Sequence, residues 1–160
     1  MVTLGLISDT HGVLRPGVTA AFTGVDEILH AGDIGGNDVL GQLQALAPMT
    51  AVAGNMDPWG GPLGQLPDER VLQRGGHTLL LLHDMGGLHR PSGDVVARAA
   101  EAGADLVIFG HTHRPADLVV GSLRLINPGA AGHARGGNPP TVARLTLAED
   151  RLEVRFVELD

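Results

Sequence analysis

Seven side chains of metal-binding type recur along this chain in a fixed relation to its apolar runs: Asp9, His11, Asp33, Asn55, His83, His111 and His113. Each stands at the end of a hydrophobic stretch or just beyond it, as in Leu4-Gly5-Leu6-Ile7-Ser8-Asp9-Thr10-His11 and Leu106-Val107-Ile108-Phe109-Gly110-His111-Thr112-His113. Short apolar runs bounded by turn residues read as buried strands. A fold that satisfies this pattern delivers its polar chemistry from strand ends, and the set is large enough for two metal ions.

The runs 2–8, 27–31, 49–53, 78–82 and 105–109 read as such strands. Residues 16–22 read as a short helix, because Pro16 suits a first turn where its missing amide hydrogen would be unbonded anyway, with Gly24 to end it. Residues 37–47 place Val39, Leu40, Leu43 and Leu46 at helical spacing, with Asn37 as cap and Pro48 as stop. Residues 92–102 read as another helix, with Ser92 as cap, Val95, Val96, Ala99 and Ala100 as its apolar residues, and Gly103 at the left-handed terminal position. The stretches 118–120, 123–126, 141–147 and 152–159 read as further strands that need no crossover helices, and 58–67 (with Trp59) and 132–140 as loops. Mixed strand and helix followed by mostly antiparallel strand suggests two packed sheets with helices outside, rather than a doubly wound sheet.

Composition narrows the function classes. At 160 residues and 43% hydrophobic, the chain suits one domain over 1–160. No basic leader precedes the first strand, and no apolar run approaches the roughly 20 residues of a membrane span, so a cytoplasmic protein without a membrane partner is expected. With no cysteine there is no disulfide framework and no thiolate, and any metal must be held by nitrogen and oxygen. The net charge of −7, with only three Phe and one Trp, argues against a long nucleic acid as partner. All eleven basic residues are Arg, which reads as composition bias rather than as a set of phosphate forks.

The types and spacings of the seven residues support metal chemistry. Asp9 and His11, two apart, share one face of a strand, and a carboxylate beside an imidazole suits a borderline metal, although the pair alone is common by chance. Gly110 lets the backbone turn so that His111 and His113 can serve one ion each. Asp33 has two oxygens, so one residue can touch both ions and set their separation at roughly 3.5–4 Å. Asn55 adds a neutral oxygen, which leaves two divalent ions net positive, able to attract an anion and acidify water. Taken singly, Asp33, Asn55 and His83 also read as ordinary turn and strand-end residues; the weight lies in the set.

Ser8-Asp9-Thr10-His11-Gly12, His30-Ala31-Gly32-Asp33, Gly54-Asn55-Met56-Asp57, Gly110-His111-Thr112-His113 and Asn127-Pro128-Gly129 resemble, in order and spacing, the successive blocks of the calcineurin-like metallophosphoesterases, within them the small YfcE-like phosphodiesterases. The resemblance covers nearly the whole chain. It implies an α/β four-layer sandwich of two mixed β-sheets flanked by α-helices. It also implies one metal site of Asp9, His11, Asp33 and His113 and a second of Asp33, Asn55, His83 and His111. The implied activity is hydrolysis of a small phosphodiester by a hydroxide bridging two divalent ions, Mn²⁺ first, with Fe, Ni or Zn as alternatives. Asp33, Asn55 and His111 would be the catalytic residues, with Asn55 and Arg135 binding substrate; His89, Arg90, Arg114 and His133 are further loop residues able to hold a phosphate.

Two positions depart from the resemblance. Asp84 follows His83 where relatives carry Gly, and Met85 stands where a second histidine is common, so an altered and weakened second metal site is expected. Met56 replaces the histidine that protonates the leaving group in many relatives. His30 reads as a core histidine, Asp57 as a turn residue or a support for Asn55, and His77 as ordinary surface. The competing readings are a phosphomonoesterase and a non-catalytic protein-binding scaffold like the retromer subunit of this fold, which has lost part of the ligand set. A homo-oligomer is left open.

Overall fold

In the computed structural model, which describes residues 1–57 and 61–160, the apolar runs form ten strands in two five-stranded sheets. The first has the order β10-β9-β1-β2-β3: β1 (Val2–Ile7), β2 (Glu27–His30) and β3 (Met49–Ala51) run parallel, β9 (Thr141–Ala148) lies antiparallel to β1, and β10 (Arg151–Glu158) forms the edge. The second, in the order β4-β5-β6-β8-β7, contains β4 (Glu69–Arg74), β5 (His77–Leu82), β6 (Leu106–Ile108), β7 (Ala116–Val120) and β8 (Leu123–Asn127). In it β5, β6 and β8 run parallel.

Alternation along the strands sorts the core into layers, because successive side chains point to opposite faces. Leu4, Leu6, Leu79, Leu81, Leu106 and Ile108 meet between the sheets. Ile7 and Ile28 face outward against Val18 and Phe22 around α1 (Gly17–Ala21) and against Val39, Leu40 and Leu43 of α2 (Asn37–Leu46). Leu80, Leu82 and Val107 face the other way, against Val95 and Ala99 of α4 (Gly93–Ala102). The layers are therefore helix, sheet, sheet, helix, the mixed sandwich expected from the sequence.

Several local readings hold. Ser92 caps α4 by accepting from the Val95 amide at 3.2 Å, and Gly103 ends it with φ 69°. Others do not. The residue at the cap of α2 is Gly36, in an extended conformation, and Asn37 is already the first helical residue. Leu46 is half-exposed, because the stripe that meets the sheet narrows to Val39, Leu40 and Leu43. The expected antiparallel pairing of the later strands holds for β9 with β1 and β10 and for β7 with β8; the departure is β8, which returns from the edge strand β7 to lie between it and β6, parallel to β6. A one-turn helix, α3 (Gly61–Gly64), lies within the expected loop 58–67, of which Pro58, Trp59 and Gly60 lie outside the described residues.

Strand β4 was not expected at all. It pairs antiparallel with β5 through Gly75-Gly76, whose φ values of 58° and 85° are those of a two-residue turn that matches strand twist. A Gly-Gly pair between Glu69-Arg70-Val71-Leu72-Gln73-Arg74 and His77-Thr78-Leu79-Leu80 is the hairpin signal that marks it.

His77 is likewise not surface. Its Nδ1 lies 2.5 Å from Oδ2 of Asp105 and its Nε2 2.8 Å from the Ala148 carbonyl, so it ties the start of β5 to the end of β9 in the other sheet. Burial alone would depress the imidazole's pKa, but the Asp105 hydrogen bond, the carbonyl and the Asp105 charge together hold it above its ordinary value. Two acceptors facing the two ring nitrogens are both satisfied only when the ring carries both protons. Because the folded value is raised, the stabilisation is complete below the unfolded value of about 6.5 and is lost as pH rises through the folded value. His77→Gln should therefore destabilise the protein more at about pH 5.5 than at about pH 8.5. Urea midpoints of both proteins at the two pH values check this; a pH-independent difference would show that the His77 charge contributes nothing.

Candidate metal centre

Five of the seven candidate ligands, Asp9, His11, Asp33, His83 and His113, come together in segments that follow the carboxyl ends of β1, β2, β5 and β6. Asp9, His11, Asp33, His111 and His113 have φ values of 53°, 47°, 54°, 70° and 59°, and among the described residues no other non-glycine residue has a positive φ. Left-handed backbone costs a side chain of L chirality energy, so such residues persist where the surroundings over-determine them. Here the conformation bends each loop sharply just after its strand.

Donor atoms converge within this edge. Oδ1 of Asp9 lies 3.2 Å from Nε2 of His113, 3.7 Å from Nε2 of His11 and 3.9 Å from Nε2 of His83. Oδ2 of Asp33 lies 3.6 Å from Nε2 of His11 and 3.3 Å from Nε2 of His83. Two overlapping donor groups result, Asp9 with His11 and His113, and Asp9 with Asp33 and His83. Ligands about 2.0–2.2 Å from one ion sit about 3–3.5 Å from each other, which these spacings approach. Asp9 Oδ1 and His83 Nε2 are moreover buried without any hydrogen-bond partner, as is Nδ1 of His113. An orphaned buried polar atom costs about 1–3 kcal/mol, and a cation between these atoms would satisfy it. The donor set fits a divalent ion with mixed nitrogen and oxygen ligands.

The surroundings aim these atoms. Asp9 Oδ2 accepts from the Ser8 hydroxyl at 2.6 Å and the His111 amide at 3.1 Å, and Asp33 Oδ1 accepts from the Met56 amide at 2.8 Å. Each carboxylate is thus left one oxygen for the cluster, so Asp33 faces both His11 and His83 through Oδ2 alone rather than with one oxygen for each. His83 donates from Nδ1 to the Ala31 carbonyl at 2.7 Å, which places its lone pair on Nε2. Position 54 admits only glycine, since a Cβ there would lie 2.1 Å from Asp33 Oδ1.

Asp57 serves Asp33 rather than Asn55. Its carboxylate accepts from the amides of Asp33 (3.1 Å), Ile34 (2.8 Å), Gly35 (3.1 Å) and Gly54 (2.8 Å), and so locks the loop after β2 to the loop after β3. Asn127, fully buried at the end of β8, does the same for the histidine loop, donating to the Gly110 carbonyl and the Thr112 hydroxyl at 3.0 Å each. His30 is a core histidine. Its Nδ1 accepts from the Gly32 amide at 3.1 Å, Nε2 meets Thr10 Oγ1 at 3.1 Å, and that hydroxyl donates to the Ile34 carbonyl at 2.7 Å. Burial drives its pKa down to about 3, so it stays neutral.

Charge is balanced inside the cluster. Burial works against ionised Asp9, but the hydrogen bond from Ser8 and the adjacent imidazoles of His113 and His83 hold its pKa below the usual range. Asp33 is also lowered, with burial again opposed, here by His83 and the Met56 amide. His83 is raised: Asp33 and Asp9 outweigh burial.

The remaining candidates lie farther out. Asn55 is exposed and lines a cavity of about 300 Å³ with His83, Asp84 and Arg98. His111 is outside both donor groups, with its ring 5.2 Å from that of His83 and edge-on to it. Arg135 sits on an exposed loop closed by a backbone bridge to Asn138, and among the described residues no hydrogen bond or ion pair joins its side chain to the cluster. Asp57 and Asn127 were visible in the sequence only as members of motif blocks; what marks them is a polar residue one step beyond an apolar strand or beside a ligand.

Comparison with known proteins agrees with this geometry. Residues 2–150 match the family model of the calcineurin-like phosphoesterase superfamily domain. A probable metallophosphoesterase of Methanothermobacter thermautotrophicus is 37% identical over 151 residues, covering 89% of this chain and 80% of that protein. A solved structure described as a novel archaeal phosphodiesterase is similar with a TM-score of 0.80 at 25% identity, covering 98% of this chain and 99% of that one. Vps29 of Chaetomium thermophilum shares the fold, with a TM-score of 0.78 at 17% identity over 99% of this chain and 97% of that one. A family match that runs from β1 through β9 and takes in every candidate ligand, with a relative above a third identity, shows that the chain belongs to the calcineurin-like phosphoesterase superfamily.

Proposed function

We propose that the chain hydrolyses a phosphodiester with the help of two divalent ions, Mn²⁺ foremost. The observation that carries this reading is the pair of buried, unpartnered donors, Asp9 Oδ1 and His83 Nε2, within a shell of carboxylate and imidazole atoms at ligand spacing. Asp9, His11, Asp33 and His113 would hold one ion, and Asp33, Asn55, His83 and His111 the other. Bound there, the ions supply Lewis acidity, which lowers the pKa of water and neutralises phosphoryl oxygens. Two carboxylates against two divalent ions leave the centre net positive, which favours an anionic diester over neutral esters. Asn55 would turn its amide hydrogens to a phosphoryl oxygen, and Arg135 would add charge from its loop. The likeness to the archaeal phosphodiesterase supports a diester over a monoester.

The fold is shared with Vps29, so a scaffold role is the alternative that the experiment must separate. Purified protein loaded with Mn²⁺ should bind two ions per chain, lose metal on Asp33→Asn, and cleave diesters faster than monoesters. Metal stoichiometry of one or less, with Asp33→Asn indistinguishable from wild type, would remove the two-ion reading, and full loading without hydrolysis of any ester would favour the scaffold.

Met56 is 64% exposed beside Asn55 and has no proton to give. The departing oxygen then leaves with its charge unaided, so rates over a series of substituted phenyl diesters should fall steeply as leaving-group pKa rises. Met56→His should flatten that slope and speed the poorest leaving groups by roughly 100-fold. A shallow slope already present in wild type would mean that another acid acts.

The left-handed ligands imply a cost in the metal-free protein. At His111, φ 70° and exposed, glycine relieves the backbone whereas alanine does not, so metal-free His111→Gly should be more stable than His111→Ala by about 1 kcal/mol. Chemical denaturation of the two variants measures this, and equal midpoints would show that the loop stores no strain.

A further inference from the structure

Asp84 follows His83 directly, and its carboxylate is held in a defined place. Oδ1 accepts from the Gly86 amide at 2.8 Å, and Oδ2 lies 3.7 Å from Nε2 of His111. The residue forms the wall between two clefts, one of about 300 Å³ shared with Asn55 and His83 and one of about 350 Å³ shared with Leu88, His111 and Thr112. The backbone amide of His111 is itself bound to Asp9 Oδ2 at 3.1 Å. Nδ1 is the ring nitrogen nearest that anchored backbone, and Nε2, at the far end of the ring, is the one that meets Asp84.

A neutral imidazole offers a lone pair at one nitrogen and a proton at the other. A ligating histidine hands that proton to a carboxylate or carbonyl, which fixes the tautomer and strengthens the donor, as His83 does with Ala31. We propose that Asp84 is this acceptor for His111: it keeps Nε2 protonated and leaves the Nδ1 lone pair for the second ion. Both side chains are about half exposed, at 43% for His111 and 53% for Asp84, and this role requires the 3.7 Å gap between them to close to hydrogen-bond length. The inference rests on the two-ion reading above. It also reverses the sign expected of Asp84 from sequence, where it stood as a disturbance that weakens the second site. A carboxylate facing the outer nitrogen of a ligand strengthens the site instead.

The test uses the full chain loaded with Zn²⁺, which is diamagnetic. Long-range proton–nitrogen correlation spectra should show a protonated Nε2 and a metal-bound Nδ1 on His111, assigned by its loss in His111→Ala. In calorimetric titrations, Asp84→Ala should weaken the weaker of two binding events by about 10–100-fold and leave the tighter one unchanged, and Asp84→Asn, whose amide oxygen can still accept, should recover part of the loss. A wild type that binds two ions while Asp84→Ala gives the same or a tighter isotherm overturns the role of Asp84, as does metal on Nε2. A wild type that binds one ion or none overturns instead the two-ion reading beneath it.

Discussion

Two carboxylates buried at 0% and 3% exposure, Asp9 and Asp33, are the constraint around which the rest of this structure is arranged. Ionised carboxylates are not tolerated in an interior unless charge and hydrogen bonds compensate for lost water. Ser8, the amides of His111 and Met56, and three imidazoles provide that compensation, yet they leave one oxygen of Asp9 unmatched. That unmatched oxygen and the imidazoles around it form the donor set that could hold a cation.

That arrangement explains features that lie far apart in the chain. The left-handed angles at five ligands, the glycine at 54 and the four amides gathered by Asp57 all shape loops that must turn at once on leaving a strand. Asn127 ties the histidine loop to β8, so the second sheet also fixes the loop that carries its candidate ligands. The rigid sandwich beneath, with Leu4, Leu6, Leu79, Leu81, Leu106 and Ile108 in its seam, sets the distance between loops contributed by different sheets. Function and fold share one edge because parallel strands deliver their carboxyl ends on the same side.

Strands buried on both faces, such as β6 and the Leu79–Leu82 stretch of β5, are legible because the buried run is continuous and apolar. Strand β4 was not, since only one of its faces packs and its residues, Glu69-Arg70-Val71-Leu72-Gln73-Arg74, look like surface. His77 looks like surface in the sequence for a related reason: its partners, Asp105 just before β6 and Ala148 at the end of β9 in the opposite sheet, are distant along the chain. The helix cap at Gly36 shows the same limit on a smaller scale, because an extended backbone satisfied the position without the side chain of Asn37.

Apolar periodicity and residue chemistry are local properties of the chain, so the layered strand and helix architecture and the identity of the candidate ligands can be read from the residues alone. How those candidate ligands divide is a matter of three-dimensional packing. It placed Asp9 in both donor groups, left Asp33 a single free oxygen, brought Asp84 to face His111, and kept Arg135 apart on its loop. Each of these depends on which oxygen or nitrogen a distant amide, hydroxyl or carbonyl has already claimed, and that is settled by the packing of two sheets against each other.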